Sequence, residues 1–109
     1  MTEDCCEVVV TAADTGWLVE FTRRLVQDRL VACGHTMEAI RSVYRWEGAV
    51  REDPEARVAL HTRASLVPAV IARTAAEHPY QVPCVIALPI SAGSPAYLDW
   101  VLASTRDPG

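Results

Sequence analysis

The sequence carries no surplus of positive charge. Ten basic side chains face fourteen carboxylates, for a net charge of −4 at pH 7. A nucleic-acid binder needs a basic patch to neutralise phosphates, so this balance argues against that class. No apolar run approaches the roughly 20 residues that a membrane-crossing helix needs, and no membrane partner is expected. The first residues, Met1-Thr2-Glu3-Asp4, are acidic and lack the pattern of a signal peptide, so the expected compartment is the cytoplasm. There is no C-x-x-C, no H-x-x-x-H and no paired knuckle, so spacing alone specifies no zinc module. A nucleophile–base pair, a phosphate loop and paired carboxylates are all missing, which predicts a protein that is not an enzyme and needs no organic cofactor. Internal repeats, low-complexity tracts and linkers are absent too. The chain, 1–109, therefore reads as one domain with its core at about 7–104.

What is present fits a globular domain. Half of the residues are hydrophobic and 22% are charged, which excludes a disordered chain. At 109 residues it can bury a core without covalent staples. The four cysteines, Cys5, Cys6, Cys33 and Cys84, are expected as thiols in a reducing compartment.

The most informative stretch runs from Ile40 to Leu60. Tyr44 and Trp46 are two apart, as on one face of a strand, with Arg41, Val43 and Arg45 on the other. Glu47-Gly48 supplies turn chemistry, and Ala56, Val58 and Leu60 alternate again on the return. This predicts a hairpin longer than the ~5–6 residues of an average strand. Glu52-Asp53-Pro54-Glu55 reads as an interruption of the return strand or a turn. Pro54 has no N–H for a ladder bond, so it belongs at an edge, bulge or turn.

Elsewhere, Val8-Val9-Val10 reads as a central strand buried on both faces. Asp14 caps a helix whose apolar stripe is Leu18, Phe21 and Leu25. Ser65 is the expected cap of a second helix, with Leu66, Val67, Val70, Ile71 and Thr74 as its buried side, ending at His78-Pro79. Val85 to Ile90 reads as another central strand. Ser94-Pro95 opens a last short helix that turns Tyr97, Leu98, Val101 and Leu102 inward. The order, strand–helix–strand–strand–helix–strand plus a helix, predicts a ferredoxin-like α/β sandwich of the α+β class, βαββαβ. Helices on one sheet face leave the other open, and with the overhanging hairpin this predicts an oligomer.

Several segments together resemble a known family. They are Leu30-Val31-Ala32-Cys33, Ser42 to Gly48 (SVYRWEG), His78 to Pro83 (HPYQVP), Leu88-Pro89 and Tyr97-Leu98-Asp99-Trp100. In this order and spacing they look like the CutA divalent-cation tolerance family, over about Val8 to Ser104. The resemblance implies a homotrimer assembled through the sheet and hairpin, a role in tolerance to copper or another divalent metal, and no firmly attached catalytic reaction. It also implies an architecture similar to the nitrogen-regulatory trimeric signal proteins, so the alternative reading is a sensor that binds a small effector in an inter-subunit cleft. The chain departs from the family's usual residues at three polar positions. Cys84 stands where a glutamate is usual, His61 where a lysine is, and His35 where an asparagine is.

Cys33 and His35 are two apart and share a strand face, and thiolate and imidazole suit copper and zinc. With His78 and Cys84 they form the candidate metal set, Cu(II) or another divalent ion, and His61 is a further possible donor. Each has a plainer reading: Cys33 and Cys84 as buried packing, His35 and His61 as polar surface or interface residues, and His78 as a helix cap. Cys5-Cys6 reads as an exposed, flexible terminal thiol pair able to bind metal adventitiously. Tyr44, Trp46 and Trp100 are the candidate trimer-interface residues, with a ligand cage as the sharper alternative. Arg41, Arg45, Arg51 and Arg63 are a candidate anion site.

Overall fold

In the computed structural model, which describes residues 3–108, the chain forms β1 (Cys5–Ala12), α1 (Thr15–Gln27), β2 (Cys33–Trp46), β3 (Ala49–Arg63), α2 (Val67–Glu77), β4 (Val85–Pro89) and α3 (Pro95–Ser104). The four strands make one sheet in the order β2-β3-β1-β4, with every neighbouring pair antiparallel. This is the ferredoxin-like βαββαβ arrangement expected from the sequence, with α3 added at the end.

Local chemistry sets the element ends. The Asp14 carboxylate accepts the Trp17 N–H at 3.2 Å, so the expected cap opens α1. At the far end Arg29 adopts φ 59°, a left-handed conformation that glycine more often fills. Its carbonyl accepts the Arg106 N–H at 2.9 Å, and its guanidinium donates to the Ala103 carbonyl at 2.9 Å. The β2–β3 turn has positive φ at both Glu47 and Gly48, the signature of a type I′ hairpin turn.

The hairpin strands are 14 and 15 residues long. β1 pairs only with Ala56 to Arg63 of β3, so residues 49–55 have β2 as their single strand neighbour. The hairpin tip thus overhangs the body, and the chain measures 48 × 26 × 23 Å. Strand β3 is continuous through Glu52-Asp53-Pro54-Glu55, with neither an interruption nor a turn. Pro54 is tolerated because it lies opposite Arg41 in the overhang, where one strand edge is free. The irregularity falls on β2 instead, as a bulge between Met37 and Ile40 with Ala39 at φ 60°.

The main core lies between the sheet and helices α1 and α2. Val8, Val10, Ala12, Ala56, Val58 and Leu60 meet Leu18, Phe21, Leu25, Leu66 and Val70. Each large side chain fully buried here contributes roughly 1.5–3 kcal/mol. Helix α3 crosses the opposite face at one end, where Val101 packs on Cys5 and Ala32 with Tyr97, Leu98 and Leu102 alongside. That face is therefore partly covered rather than wholly open.

Other expectations change. β4 is an edge strand in this chain, not a central one, and Ile86 and Leu88 are 52% and 45% exposed. Ile71 is exposed as well, because α2 turns Val70 and Thr74 to the core. Ser65 does not cap α2 through its side chain. It sits in a 3₁₀ turn, and its N–H donates to the Glu3 carboxylate at 2.7 Å. Ser94 precedes α3 but likewise makes no side-chain cap bond.

Candidate metal centre

Strand alternation sends Cys33 and His35 to the same sheet face, and register decides what joins them. Cys33 lies opposite His61 on β3, and His61 lies opposite Glu7 on β1. Glu7, His61 and Cys33 thus form a row across three strands, with His35 one pleat along. One donor atom from each of Cys33, His35 and His61 lies within 4.8 Å of the others. The His35 and His61 rings meet edge to face, with centroids 5.5 Å apart.

Hydrogen bonds orient the set. His61 Nε2 lies 2.9 Å from a Glu7 carboxylate oxygen, which accepts, so in the neutral ring the proton sits on Nε2 and Nδ1 offers its lone pair. That lone pair points at the Tyr97 hydroxyl, 2.5 Å away, and at the Cys33 sulfur, 3.8 Å away. The same hydroxyl is 3.2 Å from Cys33 Sγ. Burial, then the hydrogen bond with Cys33, pushes the Tyr97 pKa well above the ordinary phenol value. Cys33 and His61 are half-buried and His35 is exposed, so the site opens to solvent on one side.

This donor set suits a metal. One thiol and two imidazoles combine soft and intermediate ligands, the combination favoured by copper and zinc over magnesium or calcium. The Glu7–His61 pair has the form of the carboxylate–histidine contact that fixes a metal-binding imidazole. Sequence reading did not single out Glu7, and took Tyr97 only as packing. The one signal was a carboxylate placed beside the β-branched run, and it acquires meaning only once the register is known.

His78 and Cys84, the other members of the expected set, are held elsewhere. His78 is buried, donates from Nε2 to the Thr11 carbonyl at 2.8 Å and accepts the Tyr80 N–H on Nδ1 at 3.0 Å. Its ring packs between Trp17 and Tyr80, so both nitrogens are occupied in structural work. Cys84 is exposed and lines a groove at the hairpin side of the body. Cys5 and Cys6 are not a flexible exposed pair. They begin β1, Cys5 is buried, and burial, followed by nearby negative charge, raises both thiol pKa values.

The groove that Cys84 lines has a volume of about 1210 Å³ and lies between the hairpin overhang and residues 80–84. The Tyr44 hydroxyl donates to Asp53 at 2.6 Å and the Tyr80 hydroxyl to Glu55 at 2.6 Å along its wall. Trp46 is half-buried there, whereas Trp100 lies on α3, where it packs against the Tyr97 ring with centroids 5.7 Å apart. The four candidate arginines do not form one anion site. Arg41 pairs with Glu52, and Arg63, at the other end of β3, donates to the carbonyls of Leu102 and Thr105. Only Arg45 and Arg51 of the four line the groove.

Comparison with known proteins agrees with this architecture. The profile of the CutA1 divalent ion tolerance protein family matches residues 6–104. The divalent-cation tolerance protein CutA of Thermus thermophilus is 37% identical over 98 residues, covering 90% of this chain and 95% of that protein. Mouse protein CutA is 44% identical over 82 residues, 75% of this chain, and the chain spans 46% of its length. The crystal structure of CutA1 from Oryza sativa superposes with a TM-score of 0.93 at 38% identity, covering 97% of each chain. The match extends over nearly the whole βαββαβ body and α3, and the chain belongs to the CutA1 divalent ion tolerance protein family.

Proposed function

We propose that this protein acts in divalent-metal tolerance by binding a copper- or zinc-type ion through Cys33, His35 and His61, without catalysing a reaction. The observation that carries the reading is the convergence of one sulfur and two imidazole donors, with Glu7 already orienting His61. Copper is the first candidate, because it tops the affinity order for such donors. We also propose a reducing, cytoplasmic setting, in which its four cysteines stay thiols.

We also propose that the working form is a homotrimer. The overhanging hairpin exposes Val43 and Val50 at 63% and 67%, and the sheet leaves Ile86 and Leu88 uncovered beside Val9 and Glu7. A long hairpin with an apolar surface is a platform for further copies of the chain. Light scattering at micromolar concentration should give three times the 11.9 kDa chain mass, and a monomer mass would refute this.

The metal reading is tested by calorimetric titration of the reduced, chelator-stripped protein with Cu(II) and Zn(II). Saturable binding at one ion per chain should be lost in Cys33→Ala and weakened in His61→Ala. Binding that survives both changes would remove the site from its assigned place. The groove favours a second reading, an effector-binding sensor, since Arg45 and Arg51 line it near two tyrosines. An anionic metabolite that raised the melting temperature of the metal-free protein would support that reading.

A further inference from the structure

The three donors leave one tetrahedral position open, and a side chain stands beside it. In a zinc-type site, Zn–S is about 2.3 Å and Zn–N about 2.0–2.1 Å, which puts a sulfur and a nitrogen ligand roughly 3.5 Å apart. Cys33 Sγ and His61 Nδ1 are 3.8 Å apart, close to that spacing before any ion arrives. The Tyr97 oxygen touches both, at 3.2 Å and 2.5 Å. The oxygen lies on the Nδ1 lone pair that an ion would need, so an ion held by Cys33 and His61 must displace it, and the oxygen then either ligates the ion or swings away.

We propose that Tyr97 is the fourth donor of the site, so that a bound ion ties the first turn of α3 to the sheet through a sulfur, two imidazoles and a phenolic oxygen. The inference rests on the metal-binding reading of Cys33, His35 and His61. Glu7 cannot fill the position, because its carboxylate is spent on the far nitrogen of His61. It is a positioning residue, and it holds Nδ1 toward the ion. The phenol is fixed by its surroundings: its ring meets His61 edge to face at 5.7 Å and is covered by Trp100. Swinging it out would also cost these contacts. On ligation the hydroxyl proton that Tyr97 donated to Nδ1, and the thiol proton of Cys33, leave to solvent, and oxygen and sulfur bind the ion as anions.

The consequence is mechanical as well as chemical. Arg63 already anchors the other end of α3 through Leu102 and Thr105. An ion at Tyr97 would fix its beginning too, so occupancy should be felt along the whole helix and at the exposed Trp100 beside it.

Zn(II) is the suitable probe, being colourless and redox-inert. Titrating it into the wild-type protein should generate the near-ultraviolet difference absorption of a metal-bound tyrosinate, saturating with the calorimetric isotherm. The signal should persist in Tyr44→Phe and Tyr80→Phe and vanish in Tyr97→Phe, which should still bind Zn(II) but at least about tenfold more weakly. Cys33-dependent binding that gives no tyrosinate signal in the wild-type protein would overturn the role of Tyr97 while leaving the metal site standing. Absence of any Cys33-dependent binding would instead bring down the metal reading itself. The wild-type spectrum decides the question even if Tyr97→Phe folds poorly.

Discussion

Gly34 sits between the two β2 donors and faces the opposite side of the sheet, where α1 packs through Thr22. A Cβ built at Gly34 would lie 2.5 Å from the Thr22 methyl, 2.9 Å from a Leu60 methyl and 3.1 Å from a Val58 methyl. None of the three can easily yield. Leu60 and Val58 are fully buried, and the Thr22 hydroxyl donates to the Leu18 carbonyl at 2.8 Å, which fixes its rotamer. Gly34→Ala should therefore cost about 1–3 kcal/mol, the usual penalty for overpacking a dense core. For a chain of this size that is a drop of roughly 4–8 °C in melting temperature for each kcal/mol. Thermal unfolding followed by circular dichroism measures it at a fixed protein concentration. Thr22→Ser removes the nearest methyl and keeps the hydroxyl, so it should recover part of the loss in the double variant. The displaced strand also carries Cys33 and His35, so metal affinity should fall with stability. A Gly34→Ala protein that melts with the wild type would refute the close seating of α1 on β2.

Two further perturbations separate structure from site. His78→Ala should lower stability by about 1–3 kcal/mol, since it strands the Thr11 carbonyl and the Tyr80 N–H, and it should leave Zn(II) affinity unchanged. A loss of metal binding in that variant would return His78 to the ligand set. Burial alone would raise the Glu77 pKa, but hydrogen bonds from Arg73 and Arg24 outweigh it and hold the carboxyl below its reference value of 4.5. The folded state therefore gains stability from Glu77 above about pH 4.5, and loses it as pH falls through the depressed value. Glu77→Gln should be less stable than wild type at pH 7, by roughly 0.5–1 kcal/mol, with the gap closing in acid denaturation below pH 4.5. A gap that stayed constant from pH 7 to pH 3 would show that the ion pairs contribute nothing.

Much of the fold was legible because periodicity and end signals agree with it. The Val8–Val10 run, the Leu18–Phe21–Leu25 stripe, the Asp14 cap and the Glu47-Gly48 turn each appear where local chemistry puts them. Three misreadings share a cause, which is that neighbours decide. Glu52 to Glu55 reads as an interruption or turn, yet β3 runs straight through it, because the overhang gives Pro54 the free edge it requires. Val85 to Ile90 reads as a central strand because it is apolar on both faces, yet within one chain β4 is an edge, and its exposed Ile86 and Leu88 are the surface proposed to meet other copies. Ser65 has the right side chain for a cap, but a 3₁₀ turn and Glu3 take its place.

The site divides in the same way. Cys33 and His35 could be paired from spacing, because alternation along one strand is local. His61, Glu7 and Tyr97 come from β3, β1 and α3, and only the strand register and the packing of α3 bring them together. His78 entered the candidate metal set because sequence does not show that the Thr11 carbonyl and the Tyr80 N–H already engage both of its nitrogens.

The most direct test is a crystal of the reduced protein, with Cys5 and Cys6 changed to serine, soaked in Zn(II) and measured at the zinc absorption edge. The account predicts one anomalous peak per chain between Cys33 Sγ, His61 Nδ1, His35 and the Tyr97 oxygen. A fully loaded protein whose only peak lay at His78, at Cys84 or in the hairpin groove would contradict it.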